Sequence, residues 1–356
     1  MNKLLPFNMP PISKSGMLGM LSGAGGAGGA GAFWKLLGST KLGSAGDSIE
    51  VASFADMPYL MVQYHIIPSG NLDNIAVQFE GDSATNYAYR VSTDGGASSQ
   101  VINNNKIRFR SGGAVSNDFF GYFFMINDSS KEKLTISDQM RNNTNGAGNA
   151  PSRAENAGKW ANTSDSVTTL EISQDGSGSF NTNSEVVVLG YDPDDTSGTS
   201  IYEELANETL TGTGNLSSGT ITAKKYLWVQ IESEGVTSGN DLLRFNDDSA
   251  SNYSDRKSAD GGTDATRVNQ TSLVNHINEG GRTTPSFANF FIINDSDYEK
   301  LLIGNVNQGL ASGSGVAPSS LALTGKWANT SDAITNITLF ANEKSDSSMI
   351  VYGFDP

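Results

Sequence analysis

Four aspartates have the type and spacing that chemistry needs. Asp82 and Asp94 flank a segment carrying Tyr87 and Arg90, and Asp248 and Asp260 flank another carrying Tyr253 and Arg256. Carboxylates on either side of a strand can hold Ca2+ or the hydroxyls of a sugar. The structural reading of the same residues is that Asp and Asn cap turns beside Gly. Asp94-Gly95-Gly96 and Asp260-Gly261-Gly262 favour it, with the Gly pair expected to supply positive φ. Acid–base chemistry by histidine is poorly supplied. The two histidines, His65 and His276, occupy unmatched places in an internal repeat, whereas a duplicated active site would keep its base in both copies. With no cysteine, thiolate chemistry and disulfides are excluded. Asp192, Asp194 and Glu203 are spaced like part of an EF-hand loop, but Gly198 falls one position late and no flanking helix is expected. The Gly-rich run 23–31 follows no strand and opens no helix, so it is no nucleotide fingerprint. No catalytic residue and no cofactor are expected, and the chain reads as no enzyme; Ca2+ at the four aspartates is the alternative.

The repeat shows best in an octapeptide. Gly158-Lys159-Trp160-Ala161-Asn162-Thr163-Ser164-Asp165 recurs unchanged as Gly325-Lys326-Trp327-Ala328-Asn329-Thr330-Ser331-Asp332. As architecture, Trp160 and Trp327 plug a sandwich while Asn-Thr-Ser-Asp makes a capped turn into the next strand. As function, a Trp beside Asn and Asp is a stacking platform for a sugar ring. Lys159 and Lys326 are placed for local salt bridges.

The elements that must position these residues follow from further matched blocks. Asp82-Ser83-Ala84-Thr85-Asn86-Tyr87 matches Asp248-Ser249-Ala250-Ser251-Asn252-Tyr253. Phe124 to Ser129 matches Phe291 to Ser296, Glu132-Lys133-Leu134 matches Glu299-Lys300-Leu301, and Val188 to Pro193 matches Val351 to Pro356. The offset is close to 167 and falls to 163 in the last block, which predicts a shorter final hairpin in the second copy. The division is an arm over 1–32, module 1 over 33–193, a linker over 194–200 and module 2 over 201–356. A linker this short and polar places the modules side by side. In module 1 the strand candidates are Asp47–Ser53, Tyr59–Ile67, Asn74–Phe79, Ala88–Ser92, Lys106–Arg110, Phe119–Asn127, Lys133–Ser137, Ser166–Ser173 and Glu185–Tyr191. The nearly continuous aromatics of Phe119 to Ile126 mark a strand buried on both sides or packed on a partner. No segment has a helical period. The fold class is all-β: two tandem jelly-roll-like antiparallel β-sandwiches preceded by an extended Gly/Ala-rich N-terminal arm.

Composition narrows the partners. In 356 residues there are 40 Gly, 37% hydrophobic residues and only 17% charged ones, so Asn, Ser, Thr and Gly must supply the polar surface of many short strands and turns. A net charge of −15 argues against nucleic acid and against anionic lipid. No run of about 20 strongly apolar residues is present, so no membrane insertion is expected, and the N-terminus is a poor match to a signal peptide. The arm joins the apolar group Met17, Leu18, Met20 and Leu21 to a tract with Gly23, Gly26 and Gly29 at a period of three. It reads either as a flexible linker or as close-packed backbone docking on a neighbouring subunit or partner; a collagen helix lacks its imino acids.

The blocks Gly-Lys-Trp-Ala-Asn-Thr-Ser, Asn-Asp-Ser with a following Glu-Lys-Leu, Asp-Ser-x-x-Asn-Tyr and Asp-Gly-Gly resemble those of tandem-repeat β-sandwich virion proteins of marine and environmental bacteriophages. The resemblance covers both modules. It implies a structural virion protein at the particle surface, made in the host cytoplasm: a capsid decoration, spike or tail-fibre component. Homo-oligomerisation, most simply as a trimer, and contacts with other virion proteins are expected. The alternatives are a receptor- or glycan-binding host-attachment protein and a double jelly-roll major capsid protein.

Overall fold

The computed structural model describes residues 34–109, 116–195, 197–237, 241–275, 284–310 and 314–356. The arm, with Met17, Leu18, Met20, Leu21, Gly23, Gly26 and Gly29, lies outside the described residues, as does His276. Among the described residues there are strands and turns but no helix, hence none long and apolar enough to cross a membrane.

Module 1 contains β1 Lys35–Lys41, β2 Ser48–Val51, β3 Tyr59–Ile66, β4 Ile75–Phe79, β5 Tyr87–Thr93, β6 Ser99–Asn104, β7 Ile107–Arg108, β8 Phe119–Ile126, β9 Lys133–Arg141, β10 Ser152–Trp160, β11 Leu170–Gln174 and β12 Glu185–Tyr191. Module 2 repeats the series as β13 Glu203–Thr209, β14 Gly214–Ser217, β15 Tyr226–Ser233, β16 Leu242–Phe245, β17 Tyr253–Ala259, β18 Ala265–Gln270, β19 Leu273–Val274, β20 Ser286–Ile293, β21 Lys300–Gln308, β22 Ser319–Trp327, β23 Ile337–Glu343 and β24 Ser348–Phe354. Each module is an eight-stranded antiparallel sheet packed on a four-stranded one. The orders are β1-β12-β3-β8-β9-β10-β5-β6 over β2-β11-β4-β7, and β13-β24-β15-β20-β21-β22-β17-β18 over β14-β23-β16-β19. The chain crosses between the sheets from β1 to β5 and again at β7 and β11, while β8, β9 and β10 run as consecutive neighbours in the large sheet, and module 2 repeats this path.

Sequence reasoning found nine of the twelve strands described in module 1. The three it missed are β1, β6 and β10, and it cut β9 short. Of these, β10, Ser-Arg-Ala-Glu-Asn-Ala-Gly-Lys-Trp, has almost no β-forming side chains. It is a strand because β9 and β5 ladder onto both its edges over Ala154 to Trp160. The final hairpin is also corrected. β11 belongs to the small sheet and β12 to the large one, so the segment between them crosses the sandwich. The shortening in module 2 is real but falls on that crossover, 175–184 against 344–347.

Alternation along the central strands explains their unbroken apolar runs. In β3, Leu60, Val62, Tyr64 and Ile66 face the core between the sheets, while Met61 faces the other way. In β8, Phe119, Phe123 and Met125 face that core and Phe120 and Tyr122 face outward; in β12, Val186 and Val188 oppose Val187 and Leu189. The outward set meets its counterpart from module 2, Tyr226, Trp228, Phe291, Ile293, Leu301, Ile303, Ile350, Tyr352 and Phe354, in a third core. The large sheets therefore pack outer face to outer face, and their central strands are buried on both sides. The linker is tied down at this junction: the Ile201 amide donates to the Trp34 carbonyl (2.9 Å), and Lys35 pairs with Asp195.

Candidate functional site

The octapeptide spans the end of a strand and the turn after it. Trp160 closes β10 and Trp327 closes β22, each 1% exposed. The indole Nε1 donates to Asp82 in module 1 and to Asp248 in module 2, at 2.7 Å in both. Tyr87 stacks on Trp160 at 6.3 Å and 16°, and Tyr253 on Trp327 at 6.4 Å and 16°. A buried ammonium lies near each indole ring, Lys133 at 5.4 Å and Lys300 at 5.7 Å. Lys133 donates to the carbonyls of Lys131 and Asn162 (3.0 Å each), and Lys300 to those of Tyr298 (3.0 Å) and Asn329 (2.8 Å). Burial pulls the Lys300 ammonium down to about 8 and lowers Lys133 as well. Asn162 Oδ1 accepts from the amides of Ser164 and Asp165, and Asn329 Oδ1 from those of Ser331 and Asp332, which makes the turn. The motif glycine is closely enclosed by side chains, with Thr135 Oγ1 2.7 Å from where a Cβ on Gly158 would sit. A Cβ on Gly158 would lie 2.8 Å from Ile107 Cδ1, and one on Gly325 2.9 Å from Leu273 Cδ1. A Trp enclosed in this way offers no face to a sugar, so the stacking-platform reading of Trp160 and Trp327 is corrected: both indoles are taken up in packing.

The four aspartates serve the framework. Asp82 accepts from the Ala84 amide (2.9 Å) and Asn86 Nδ2 (2.9 Å) besides Trp160, and Asp248 repeats this with Ala250 and Asn252 (2.8 Å each). Burial pushes both carboxyls up, but the bonds from Asn, Trp and backbone outweigh it and leave them below the usual carboxylate value. Asp94 accepts from Ser152 Oγ and the Arg153 amide (2.9 Å each), and Asp260 from Ser319 Oγ (3.1 Å) and the Ser320 amide (2.8 Å). The positive φ angles in these turns fall on Asp94 (51°) and Gly95 (69°), and on Asp260 (52°) and Gly261 (69°), rather than on the Gly pair. That is the two-residue hairpin turn favoured by Asp-Gly. Among the described residues no three His, Asp or Glu side chains come together as a metal site would require.

The residues that sequence reasoning undervalued lie between the modules. Glu299 accepts from Asn142 Nδ2 (2.7 Å) and the Gly146 amide (2.5 Å) and pairs with Lys326 (3.5 Å). Lys326, fully buried, donates to Asn142 Oδ1 (2.8 Å) and the Thr144 carbonyl (2.5 Å). Its ammonium is lowered by burial, opposed by Glu299. On the far side Glu185 accepts from Lys225 (2.7 Å) and Tyr226 (3.0 Å), and Gln63 donates to Tyr202 (3.0 Å). Arg153 grips Asp264, and Arg256 donates to the Pro151 carbonyl (2.8 Å) and faces Asp94 (3.4 Å). Tyr122 meets Phe291 at 4.6 Å in the middle. His65, 0% exposed, lies against the Tyr298 ring edge at 5.4 Å with Asp118 at 3.4 Å, inside this contact.

No protein-family model matches the chain, and no curated protein matches it. Among solved structures, domains LG4-5 of the mouse laminin alpha1 chain are similar at 10% identity and a TM-score of 0.20, over 98% of this chain and 93% of that one.

Proposed function

We propose that the chain is a non-catalytic structural protein of a virion: a block of two fused sandwiches displayed at the particle surface and docked through residues 1–32. The observation that carries the structural role is the third core. The repeat's most distinctive side chains are spent on joining sheet to sheet and module to module, which supports a building block rather than an enzyme. The virion setting rests on the resemblance of the repeated blocks. Self-association, as a trimer or another closed ring, and contacts with other particle proteins belong to the same reading; a cofactor, nucleic acid and membrane insertion do not. The test is mass spectrometry and antibody labelling of purified native particles, with and without residues 1–32 in the protein. The expected result is a surface-accessible component lost when 1–32 is removed. Absence from the particle, or incorporation indifferent to 1–32, overturns it.

A further inference from the structure

Part of the outer face of module 1 is left open, and it runs up to the root of the N-terminal segment. Tyr59 (42% exposed), Ile126 (50%), Leu134 (54%) and Ile136 (65%) stand in water, while their counterparts in module 2, Tyr226, Ile293, Leu301 and Ile303, are buried in the third core. With Trp34, Phe124 and Tyr191 these four line a groove of about 440 Å3. Trp34 is the first described residue and packs on Phe124 (6.0 Å) and Tyr191 (5.7 Å), so residues 1–33 leave the body from the rim of the groove. Beside the groove, sharing Phe124 and Ile136 with it, lies a polar cleft of about 580 Å3.

The cleft is acidic where module 2 is not. On β9 and β10, Asp138 and Glu155 are direct cross-strand partners, an arrangement of like charges that costs stability. Their counterparts at an offset of 167 are Asn305 and Ala322. Asp138 accepts from the Tyr122 hydroxyl (2.6 Å), and Arg153 divides itself between Glu155 and Asp264. Burial pushes the Asp138 carboxyl up; the Tyr122 bond opposes this and Glu155 reinforces it. A cation brought to this end of the face would relieve the pair. On β9, Leu134 and Ile136 point to solvent while Thr135 and Gln139 point into the sandwich, with Thr135 Oγ1 and Gln139 Nε2 left without hydrogen-bond partners. The open face thus joins an apolar half to an acidic end.

Residues 1–33 have the matching composition. Lys3 and Lys14 are their only charged side chains, in a chain whose net charge is −15, and Met17, Leu18, Met20 and Leu21 follow Lys14 closely. The lengths agree as well. From β1, next to Trp34, to β10 the large sheet counts five strand intervals, about 24 Å at the usual spacing. Lys14 to Leu21, extended, spans about 23 Å, and the Gly/Ala-rich residues 22–33 reach up to about 40 Å, enough to bring Leu21 back to the groove. Tethered at the rim, this segment is present at the groove at an effective concentration that a separate molecule does not match. We propose that residues 14–21 of the same chain lie across the open face, with Met17, Leu18, Met20 and Leu21 on Tyr59, Ile126, Leu134 and Ile136, and Lys14 at Asp138 and Glu155. Residues 1–11, with Leu4, Leu5 and Phe7, stay available for the docking proposed above. The inference goes beyond that reading, since the seat exists with or without a particle.

The test is limited trypsin digestion of the full chain, read by mass spectrometry at Lys14, with a free peptide of residues 8–22 as the unseated reference. Cleavage of a segment that opens and closes quickly follows its open population. Cleavage at Lys14 is expected to be slower than in the peptide by about tenfold or more, at a rate per chain that dilution does not change. Two variants are compared, Ile136→Glu and Glu155→Gln, both at exposed positions that leave the fold intact by circular dichroism. Ile136→Glu should restore the peptide's rate, and Glu155→Gln should raise the rate about twofold. Wild-type cleavage at the peptide's rate overturns the proposal, and so does a rate left unchanged by either substitution. Protection that fades on dilution overturns it too, because the groove is then filled by the segment of a second copy. None of these results touches the protein's presence in particles, so this inference and the assembly reading fail separately.

Discussion

Lys159 and Lys326 sit at the same place in the same eight-residue sequence, yet their surroundings share little. Lys159 pairs with Glu132 (2.9 Å), both side chains about two-fifths exposed. Lys326 is fully buried, shares Glu299 with Asn142 and the Gly146 amide, and donates to module 1. Arg90 and Arg256 diverge in the same way. Arg90 bonds Ser98 and Gln100 of its own hairpin, whereas Arg256 reaches Pro151 across the interface. Trp160 and Trp327 do not diverge at all. A duplicated residue keeps its role when its partners lie in its own module and changes it when they come from the other.

That contrast can be broken at its strongest point. Trp160→Ala and Trp327→Ala each remove a fully enclosed indole, and each should cost about 3–5 kcal/mol. The two costs should agree, read by circular dichroism in urea; a difference above about 1.5 kcal/mol would mean the locks are not equivalent. The lysines should differ instead. Lys326→Ala strands Glu299 in the interface and should cost about 3 kcal/mol, while Lys159→Ala at the surface should cost under about 1 kcal/mol. Equal costs would show that the interface does not form in solution. Gly158→Ala and Gly325→Ala press a methyl against Ile107 and Leu273 and should each cost about 1–3 kcal/mol, again as a matched pair.

The smallest effect is one of pH. Below about 8 the Lys300 ammonium is charged in both folded and unfolded chains, and the folded chain bears its burial. As pH rises through about 8 the folded site releases its proton, while the unfolded lysine holds it up to 10.5. The unfolded chain then binds more protons, so stability should rise between about pH 8 and 10, by no more than about 1 kcal/mol per unit. Lys300→Met should flatten that slope. An unchanged slope would place its origin elsewhere.

Much of the architecture was legible because it is local or repeated. The matched blocks mark two modules, the apolar run Tyr59 to Ile66 marks a strand, and the turn residues Asp94-Gly95 mark a hairpin. Strand β10 was not legible, because neighbouring ladders rather than its own side chains make it a strand. The facing of β9 was hidden as well: Lys133–Ser137 reads as a strand, but only the ladders to β8 and β10 decide that Leu134 and Ile136 point outward.

The sequence by itself determined that one sandwich is built twice, with a Trp plug, its Asp acceptor and its capped turn in each copy. These groups lie within one module and are spelled out in both. The tertiary structure alone decided which parts of the two outer faces are covered, because that depends on how the large sheets meet. Identical octapeptides cannot encode a difference between themselves. Contact with the other module buries Lys326 and leaves Lys159 in water.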